Sequence, residues 1–95
     1  MALEFEWDQR KAASNRKKHR VTFEEAVTVF GDPLGAIFED VTHSEKEHRE
    51  IIVGHSAERR LLLVSFTERE GRIRIISARR ATPRERKDYE ENPRR

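Results

Sequence analysis

The sequence predicts an α+β fold: a small antiparallel sheet of about four to five strands, with two N-terminal helices and a C-terminal helix. Helix cap signals and helical spacing mark the first third of the chain. β-rich runs separated by turn residues fill the middle, and a capping box with proline opens the last helix. The 95 residues suit one domain, 1–95, with a single modest core.

The N-terminal segment 3–7 alternates apolar and charged side chains, the pattern of a short strand at a sheet edge. Trp7 is predicted to reach the core. Asp8 has the side chain of an N-cap for a helix that ends near His19. The contact face of this helix is weakly apolar, so Asn15 and His19 are predicted to bind neighbouring backbone instead of burying hydrocarbon.

A second helix begins at Thr22, which has the spacing of a capping box with Glu25. Residues 31–33, Gly-Asp-Pro, predict a left-handed cap and a stop. The apolar stripe makes this the main core helix, with Phe30 buried at the centre of the stripe. The stripe consists of Phe23, Ala26, Val27 and Phe30.

The strands are predicted to form an antiparallel meander. Residues 34–39 have strand character, and the charged connection 40–48 follows. Another strand opens at Ile51 and is interrupted by Gly54. The chain then turns into residues 61–80, two β-rich runs around a charged turn that ends in glycine, which is the pattern of a hairpin.

A turn centred near Glu70 predicts the register of this hairpin. One face then holds the apolar pairs and the other the polar side chains, because side chains alternate along a strand. The predicted pairs are Phe66 with Arg74, Val64 with Ile76 and Leu62 with Ala78, and the opposite face holds Ser65, Thr67, Ile75, Ser77 and Arg79.

The last helix is predicted from Thr82 and Glu85, a second capping box with Pro83 at the first helical position. It runs to about Asn92, and residues 92–95 are expected to fray. Its one large apolar side chain is Tyr89.

Composition limits the classes of function. The chain has no cysteine, no long apolar run and no leader pattern, which predicts a cytosolic protein without disulfides or thiolate metal sites. Charged residues make up 40% of the chain, and the sequence pI is about 9.3. A solvated surface by itself would explain the large number of charged residues. The arginines, however, are concentrated in the hairpin, and guanidinium groups bind phosphate oxygens in bidentate fashion. This concentration favours a polyanionic partner.

Motifs for metal and nucleotide chemistry are missing. His43 and His48 are five residues apart, whereas a zincin helix needs histidines at i and i+4, so a solvated loop is the better interpretation. No phosphate loop or nucleophile elbow occurs. A basic groove with hydroxyls is nevertheless sufficient to cleave RNA, because the substrate's own 2′-hydroxyl is the nucleophile. The alternative is a basic surface that binds nucleic acid without chemistry, and composition does not separate the two.

Taken in order, these segments resemble the BrnT toxins of bacterial type II toxin–antitoxin systems, a branch of the RelE-like ribonuclease toxins. The resemblance implies a small sheet with two helices packed on it, endoribonuclease activity that inhibits translation and growth, and no cofactor or metal. It also implies two partners, RNA and a BrnA-type ribbon-helix-helix antitoxin. The complex would bind DNA only through this antitoxin. A homodimer within that complex is a further expectation. The segments are 5–8, Asn15, 18–19, 21–26, 32–33, 43–44, 65–69, 74–79, Ala81, Glu85 and Tyr89.

The resemblance also implies the site residues by position. Predicted catalytic residues are Arg79, Arg80, Thr67, Arg69 and Tyr89, and predicted RNA-binding residues are Arg74, Ser65, Ser77 and Arg60. Structural roles are the alternatives. Arg80 would pair with Glu85, Tyr89 would anchor the last helix, and the serines would fill space.

Two positions depart from the family pattern. Arg20 and Arg59 stand where the family usually carries glycine. Glycine at such sites commonly permits a positive φ, so the arginines are predicted to be strained or the turns to be built differently.

Overall fold

The protein is described by a computed structural model that covers residues 3–40 and 48–92. Its elements are β1 (Phe5–Glu6), α1 (Gln9–His19), α2 (Phe23–Val29), β2 (Ala36–Glu39), β3 (Arg49–His55), β4 (Leu61–Arg69), β5 (Arg72–Arg80) and α3 (Pro83–Glu91). The five strands form one sheet in the order β1-β5-β4-β3-β2. No helix within the described ranges is long and apolar enough to cross a membrane.

The sheet is mixed. Strands β2 to β5 pair as the predicted antiparallel meander, whereas β1 lies parallel to β5, with Phe5 opposite Ile73 and Glu6 opposite Arg74. The predicted α+β class, with two helices before the meander and one after it, is confirmed. The alternation of apolar and charged residues in segment 3–7 predicts a strand but not its partner, so the parallel pairing at the edge was not predicted.

The hairpin turns through Glu70 and Gly71, which have φ values of 55° and 80°. Positive φ at both central residues is what a two-residue type I′ turn requires. Further along, the register shifts between Ser65 and Phe66, because Ser65 pairs with Ser77 while Phe66 pairs with Ile75. Ile76 is therefore the extra residue of a β-bulge.

The predicted register of the hairpin is wrong by one residue near the turn and by two beyond the bulge. The observed pairs are Phe66 with Ile75, Val64 with Ala78 and Leu62 with Arg80. Ile75 was predicted on the polar face, but it is 1% exposed and belongs to the core. Arg74, predicted on the apolar face, pairs with Thr67 on the opposite side. The two-residue turn causes this exchange, and the bulge beyond it returns Ser77, Ala78 and Arg79 to their predicted faces.

The core lies between one face of the sheet and the two N-terminal helices. Phe23 of α2 is fully buried, and Trp7 packs against it with the two rings 5.9 Å apart. Phe30 is half-buried, between Phe5 and Phe66 at ring distances of 5.1 and 5.0 Å. The buried cluster consists of Val21, Phe23, Ala26, Val29, Ile52, Leu62, Val64, Phe66, Ile75 and Ala78.

Helix α1 docks through polar contacts, as predicted for Asn15. The Asn15 amide donates to the carbonyls of Val21 (2.9 Å) and Ala78 (2.8 Å), and its oxygen accepts from the Ala78 N–H (3.1 Å). The Asn15 side chain thus makes the hydrogen bonds to the outer edge of β5 that the backbone of a neighbouring strand would otherwise make. The predicted cap is also correct, because Asp8 accepts hydrogen bonds from the amides of Arg10 and Lys11.

Helix α2 differs from the prediction at both ends. Thr22 accepts from the Glu25 N–H at 3.0 Å, but the Glu25 carboxylate binds Arg60 and Ser56, so the reciprocal half of the capping box is missing. At the other end Phe30 is a right-handed C-cap, and the predicted left-handed cap at residues 31–33 is wrong. The first error has a tertiary cause, the contacts of Glu25 with Arg60 and Ser56, whereas at the C-terminal end local hydrogen bonds from Gly31 to Thr28 and from Asp32 to Val29 close the helix without a left-handed residue.

Gly54 lies inside β3 and does not interrupt it. A Cβ built there would stand 3.0 Å from Asp32 Oδ2 and 3.2 Å from a Val29 methyl group. The glycine therefore allows β3 to lie close to the segment after α2, where Asp32 accepts a 2.7 Å hydrogen bond from the His55 N–H.

The face of the sheet turned away from α1 and α2 is called the open face here. It carries every second residue of the strands, including Ser65 and Thr67 of β4 and Arg74, Ser77 and Arg79 of β5. Helix α3 crosses one end of this face. Its capping box between Thr82 and Glu85 is present as predicted, and residues 93–95 of the expected frayed tail lie outside the described ranges.

Candidate active site

A row of polar side chains crosses the open face on three neighbouring strands. Arg49 of β3 pairs with Thr67 of β4, and Thr67 pairs with Arg74 of β5. Residues paired in register project from the same face, and two strand spacings of about 4.8 Å put the backbones of the two arginines about 10 Å apart. The row therefore has an arginine on each side of Thr67.

Thr67 is held rigidly in this row. It is 4% exposed, and its hydroxyl donates a 2.6 Å hydrogen bond to the carbonyl of His48. The imidazole of His48 lies 3.3 Å from the Glu39 carboxylate on the edge strand β2. The Thr67 hydroxyl thus fixes the backbone of His48, whereas the His48 imidazole binds Glu39, which pairs with Glu50 and so lies on the face of the core residue Phe66.

The basic side chains near the turn are balanced by acids of β1. Arg74 Nη1 lies 3.3 Å from Glu6 Oε2, and Arg72 Nε lies 3.2 Å from Glu4 Oε1. Arg72 pairs in register with Arg69, so two arginines lie between the row and the turn. The next row towards α3 carries the two predicted serines, Ser65 opposite Ser77.

Arg79 is fixed by a bidentate ion pair. Its two terminal nitrogens each donate a 2.9 Å hydrogen bond to one oxygen of Glu85 on α3. The Arg79 guanidinium lowers the pKa of Glu85 from 4.5 to about 2, with a smaller contribution from the Thr82 N–H. The predicted alternative pairing of Arg80 with Glu85 is replaced by this Arg79 pair.

Arg80 and Arg60 lie on the opposite side of the sheet. Arg80 pairs in register with the core residue Leu62, whereas Arg79 pairs with Leu63 of the open face. Arg60 binds the buried carboxylate of Glu25 through Nε (2.9 Å) and Nη2, and it also donates to the carbonyl of Arg20 at 3.0 Å. The hydrogen bonds from Arg60 are the main cause of the lowered pKa of Glu25.

Tyr89 is far from the polar row. Its hydroxyl donates to the carbonyl of Leu34 at 3.0 Å, and its ring meets His55 edge-on at 5.9 Å. His55 is six residues from Arg49 along β3, which corresponds to about 20 Å at 3.3 Å per residue. Tyr89 therefore anchors α3, the structural alternative considered for it in the sequence.

The structure thus brings together most of the predicted site residues and separates three. Thr67, Arg74, Ser65, Ser77 and Arg69 share the open face, with Arg79 one row further on. Arg60, Arg80 and Tyr89 are elsewhere. Arg49 was not predicted as a site residue, and His48 was predicted to lie in a solvated loop. The signal available was the alternation of 49–53, which places Arg49 on the face of Ile51 and Val53.

Metal binding finds no support among the described residues, where no three His, Asp or Glu side chains are grouped as ligands. His43, which was considered with His48 as a metal ligand, lies outside the described ranges.

The chain has a small α+β fold that a solved ribonuclease toxin also has. It matches the 1.1 Å crystal structure of the Brucella abortus ribonuclease toxin BrnT with a TM-score of 0.65 and 20% sequence identity, covering 85% of this chain and 99% of that one. The model of the family described as "Ribonuclease toxin, BrnT, of type II toxin-antitoxin system" matches residues 7–85. The chain therefore belongs to the BrnT toxin family.

This membership confirms the family resemblance and the enzyme class predicted from the sequence. A type II system pairs its toxin with a protein antitoxin, so the family also implies a protein partner. A search of curated proteins finds no match.

Proposed function

We propose that this protein is a cytoplasmic endoribonuclease that cleaves RNA without a metal ion, using the 2′-hydroxyl adjacent to the scissile phosphate as the nucleophile. Cleavage of cellular RNA would inhibit translation and growth. The observation that carries this proposal is the row of Arg49, Thr67 and Arg74 on the open face. Membership in a family of ribonuclease toxins supports the same chemistry.

The arginines are assigned to charge stabilisation. Attack by the 2′-hydroxyl leaves extra negative charge on the phosphoryl oxygens, and preorganised guanidinium groups stabilise it more in the transition state than in the substrate. Arg79 is well suited to this role, because its pair with Glu85 uses only part of its five N–H donors. Its Nε–H remains directed away from that carboxylate and is left for a phosphate oxygen.

Thr67, Ser65 and Ser77 are assigned to orienting the RNA backbone. They lie on paired strands, and such rigid elements hold an in-line geometry more precisely than loops do. Arg69 extends the same surface towards the turn. The anchoring contacts of Tyr89 argue against its predicted part in proton transfer.

The partner is proposed to be a BrnA-type antitoxin with a ribbon-helix-helix DNA-binding part. A basic open face is complementary to acidic or apolar antitoxin segments, which would block RNA. DNA would then bind through the antitoxin alone, and a homodimer within the complex is compatible with this arrangement. The isolated toxin should not bind an operator duplex, and sequence-specific binding by it would contradict this division of roles.

The direct test is cleavage of labelled RNA by the purified protein in the presence of EDTA. We expect products that end in a 2′,3′-cyclic phosphate, and loss of cleavage when the nucleotide at the cut is replaced by its 2′-deoxy analogue. Salt-sensitive binding without cleavage would instead support the second candidate, a non-catalytic module for nucleic acid or protein. Cleavage that disappears with EDTA and returns with a divalent ion would refute the metal-independent mechanism.

Variants on the two faces of β5 sharpen this test. Removing one preorganised donor commonly costs about a hundredfold or more in rate, so Arg79→Ala and Arg74→Ala should slow cleavage by that order and relieve growth arrest. Arg79→Lys should be intermediate, because lysine keeps the charge and loses the fork. Arg80→Ala is the matched comparison. An Arg80 effect as large as that of Arg79, with intact folding, would move the catalytic centre to the helical side.

A further inference from the structure

Most hairpin arginines described above are already paired with carboxylates of the same chain. These pairs are Arg60 with Glu25, Arg72 with Glu4, Arg74 with Glu6 and Arg79 with Glu85. Each pair partly cancels the field that a distant polyanion would feel. The hairpin that dominates the sequence by arginine count is therefore not the surface with the strongest uncompensated positive charge.

Helix α1 is that surface. Residues 9–20 contain six of the twenty Lys and Arg residues and no Asp or Glu, so the rest of the chain has fewer bases than acids. Arg16, Lys17, Lys18 and Arg20 are all exposed. None of these four forms an ion pair within the described part of the chain, which distinguishes them from the paired arginines of the hairpin.

The helix dipole explains only part of this charge. Cations in the last turn, such as Arg16 to Lys18, interact favourably with the C-terminal end of a helix. The first turn should then favour acids, yet it contains Arg10 and Lys11 and no acid. Docking does not need the charge either, because α1 is held by Asn15 and by small apolar contacts such as Ala12.

The position of α1 connects it to the open face. Asn15 binds both backbone groups of Ala78 at the outer edge of β5, and the next residue, Arg79, projects onto the open face. Strand β1 covers β5 only at Ile73 and Arg74, so α1 borders the sheet beside Arg79. Arg16, Lys17 and Arg20 line a groove of about 530 Å³ together with Thr22 at the end of the helix.

We propose that the cations at the end of α1 form a second binding site, for the phosphate backbone of RNA that extends beyond the cleaved nucleotide. The site consists of Arg16, Lys17, Lys18 and Arg20. This inference rests on the proposed ribonuclease function, because it treats the same RNA as the ligand. A strand on the open face that passes Arg79 would continue across the edge of β5 onto α1, where the cations bind successive phosphates without reading bases.

The test is the salt dependence of binding to a single-stranded 2′-O-methyl oligonucleotide, which lacks the nucleophile and stays intact. The variant R16Q/K17Q/K18Q removes three charges while keeping good helix formers. The matched control, R59Q/R84Q/K87Q, removes three exposed charges outside α1. The slope of log affinity against log salt should become shallower by about 2 in the α1 variant, since each lost phosphate contact on a single strand contributes about 0.7. The control should keep the parent slope.

Cleavage kinetics give an independent readout. At saturating RNA the α1 variant should cleave at the parent rate, with a raised KM. An unchanged slope in the α1 variant, or an equal change in the control, would overturn the inference. If the α1 variant lost binding to the antitoxin but kept the parent's salt dependence of RNA binding, α1 would be a protein interface instead. A further outcome is that the parent cleaves no RNA while the salt dependence of its RNA binding still differs from that of the α1 variant. That result would refute the proposed function but would support this binding site.

Discussion

The guanidinium of Arg79 and the carboxylate of Glu85 join the last strand to the last helix through two parallel hydrogen bonds of 2.9 Å. Glu85 also accepts from the Thr82 N–H at 2.9 Å, so one carboxylate serves both the ion pair and the helix cap. The same pair fixes a proposed catalytic arginine and attaches α3, and its strength depends on the ionised form of Glu85.

This dependence predicts acid sensitivity. The folded-state pKa of Glu85, about 2, lies below its ordinary value of 4.5, so its contribution to stability is present above pH 4.5 and is lost as the pH falls from 4.5 towards 2. Between pH 4.5 and 2 the melting temperature of the Glu85→Gln variant, measured by circular dichroism, should therefore fall by less than that of the parent. Glu91→Gln, at an exposed position on the same helix, is the control. Equal acid losses in the parent and the Glu85 variant would contradict the assignment.

Asn15→Ala should be strongly destabilising. The substitution leaves the carbonyls of Val21 and Ala78 and the N–H of Ala78 without their partner, and each buried unpaired group costs about 1 to 3 kcal/mol. We expect a loss of about 3 kcal/mol or more in the free energy of unfolding, measured by urea denaturation. Ser14→Ala, next to it on the exposed side, should change little. A loss below about 1 kcal/mol for Asn15→Ala would mean that α1 docks by other contacts.

Arg20→Gly and Arg59→Gly should each stabilise the protein. The two arginines have φ values of 59° and 65°, in the left-handed region, where a side chain costs about 1 to 2 kcal/mol. The greater freedom of glycine in the unfolded chain offsets about 0.4 to 1 kcal/mol of that gain. A net increase of roughly 0.5 to 1 kcal/mol follows, read as a higher melting temperature. Alanine at these positions keeps the strain, so Arg→Ala variants should not reproduce it.

Phe23→Ala should cost more than Phe30→Ala. Phe23 is fully buried, and truncation of a buried phenylalanine costs about 3 to 5 kcal/mol. Phe30, half-buried at the end of α2, should fall below that range. Chemical denaturation of the two variants compares them directly. If Phe30→Ala proves the more costly, its ring contacts with Phe5 and Phe66 outweigh the difference in burial.

Local signals in the sequence were sufficient for the helices and the meander. Caps at Asp8 and Thr82 act within three residues, and the polar docking of Asn15 followed from the lack of apolar neighbours on α1. The positive φ values at Arg20 and Arg59 were also foreseeable from the family's glycines at these positions. These features depend on short stretches of chain, where spacing determines geometry.

The site was predictable only in part, because its residues depend on register. The two-residue turn shifts the register by one, which exchanges the faces of Ile75 and Arg74, and the bulge at Ile76 adds a second shift beyond them. Pairing partners far along the chain were likewise hidden: Glu25 meets Arg60 and not the cap of its own helix. Spacing along the sequence could not reveal which arginines are held by acids, so Arg79 and Arg80 seemed equivalent although they lie on opposite faces.

The parallel pairing of β1 with β5 has a consequence for how the protein assembles. Glu4 and Arg72, like Glu6 and Arg74, are 68 residues apart in the sequence. Contacts of such long range form late, after closure of a loop that contains nearly the whole molecule. During synthesis Glu4 and Glu6 therefore emerge long before the arginines they bind, and the N-terminal strand joins the sheet only after β5 has been made. A nascent chain thus exposes unpaired negative charge at its N-terminus that the finished toxin neutralises.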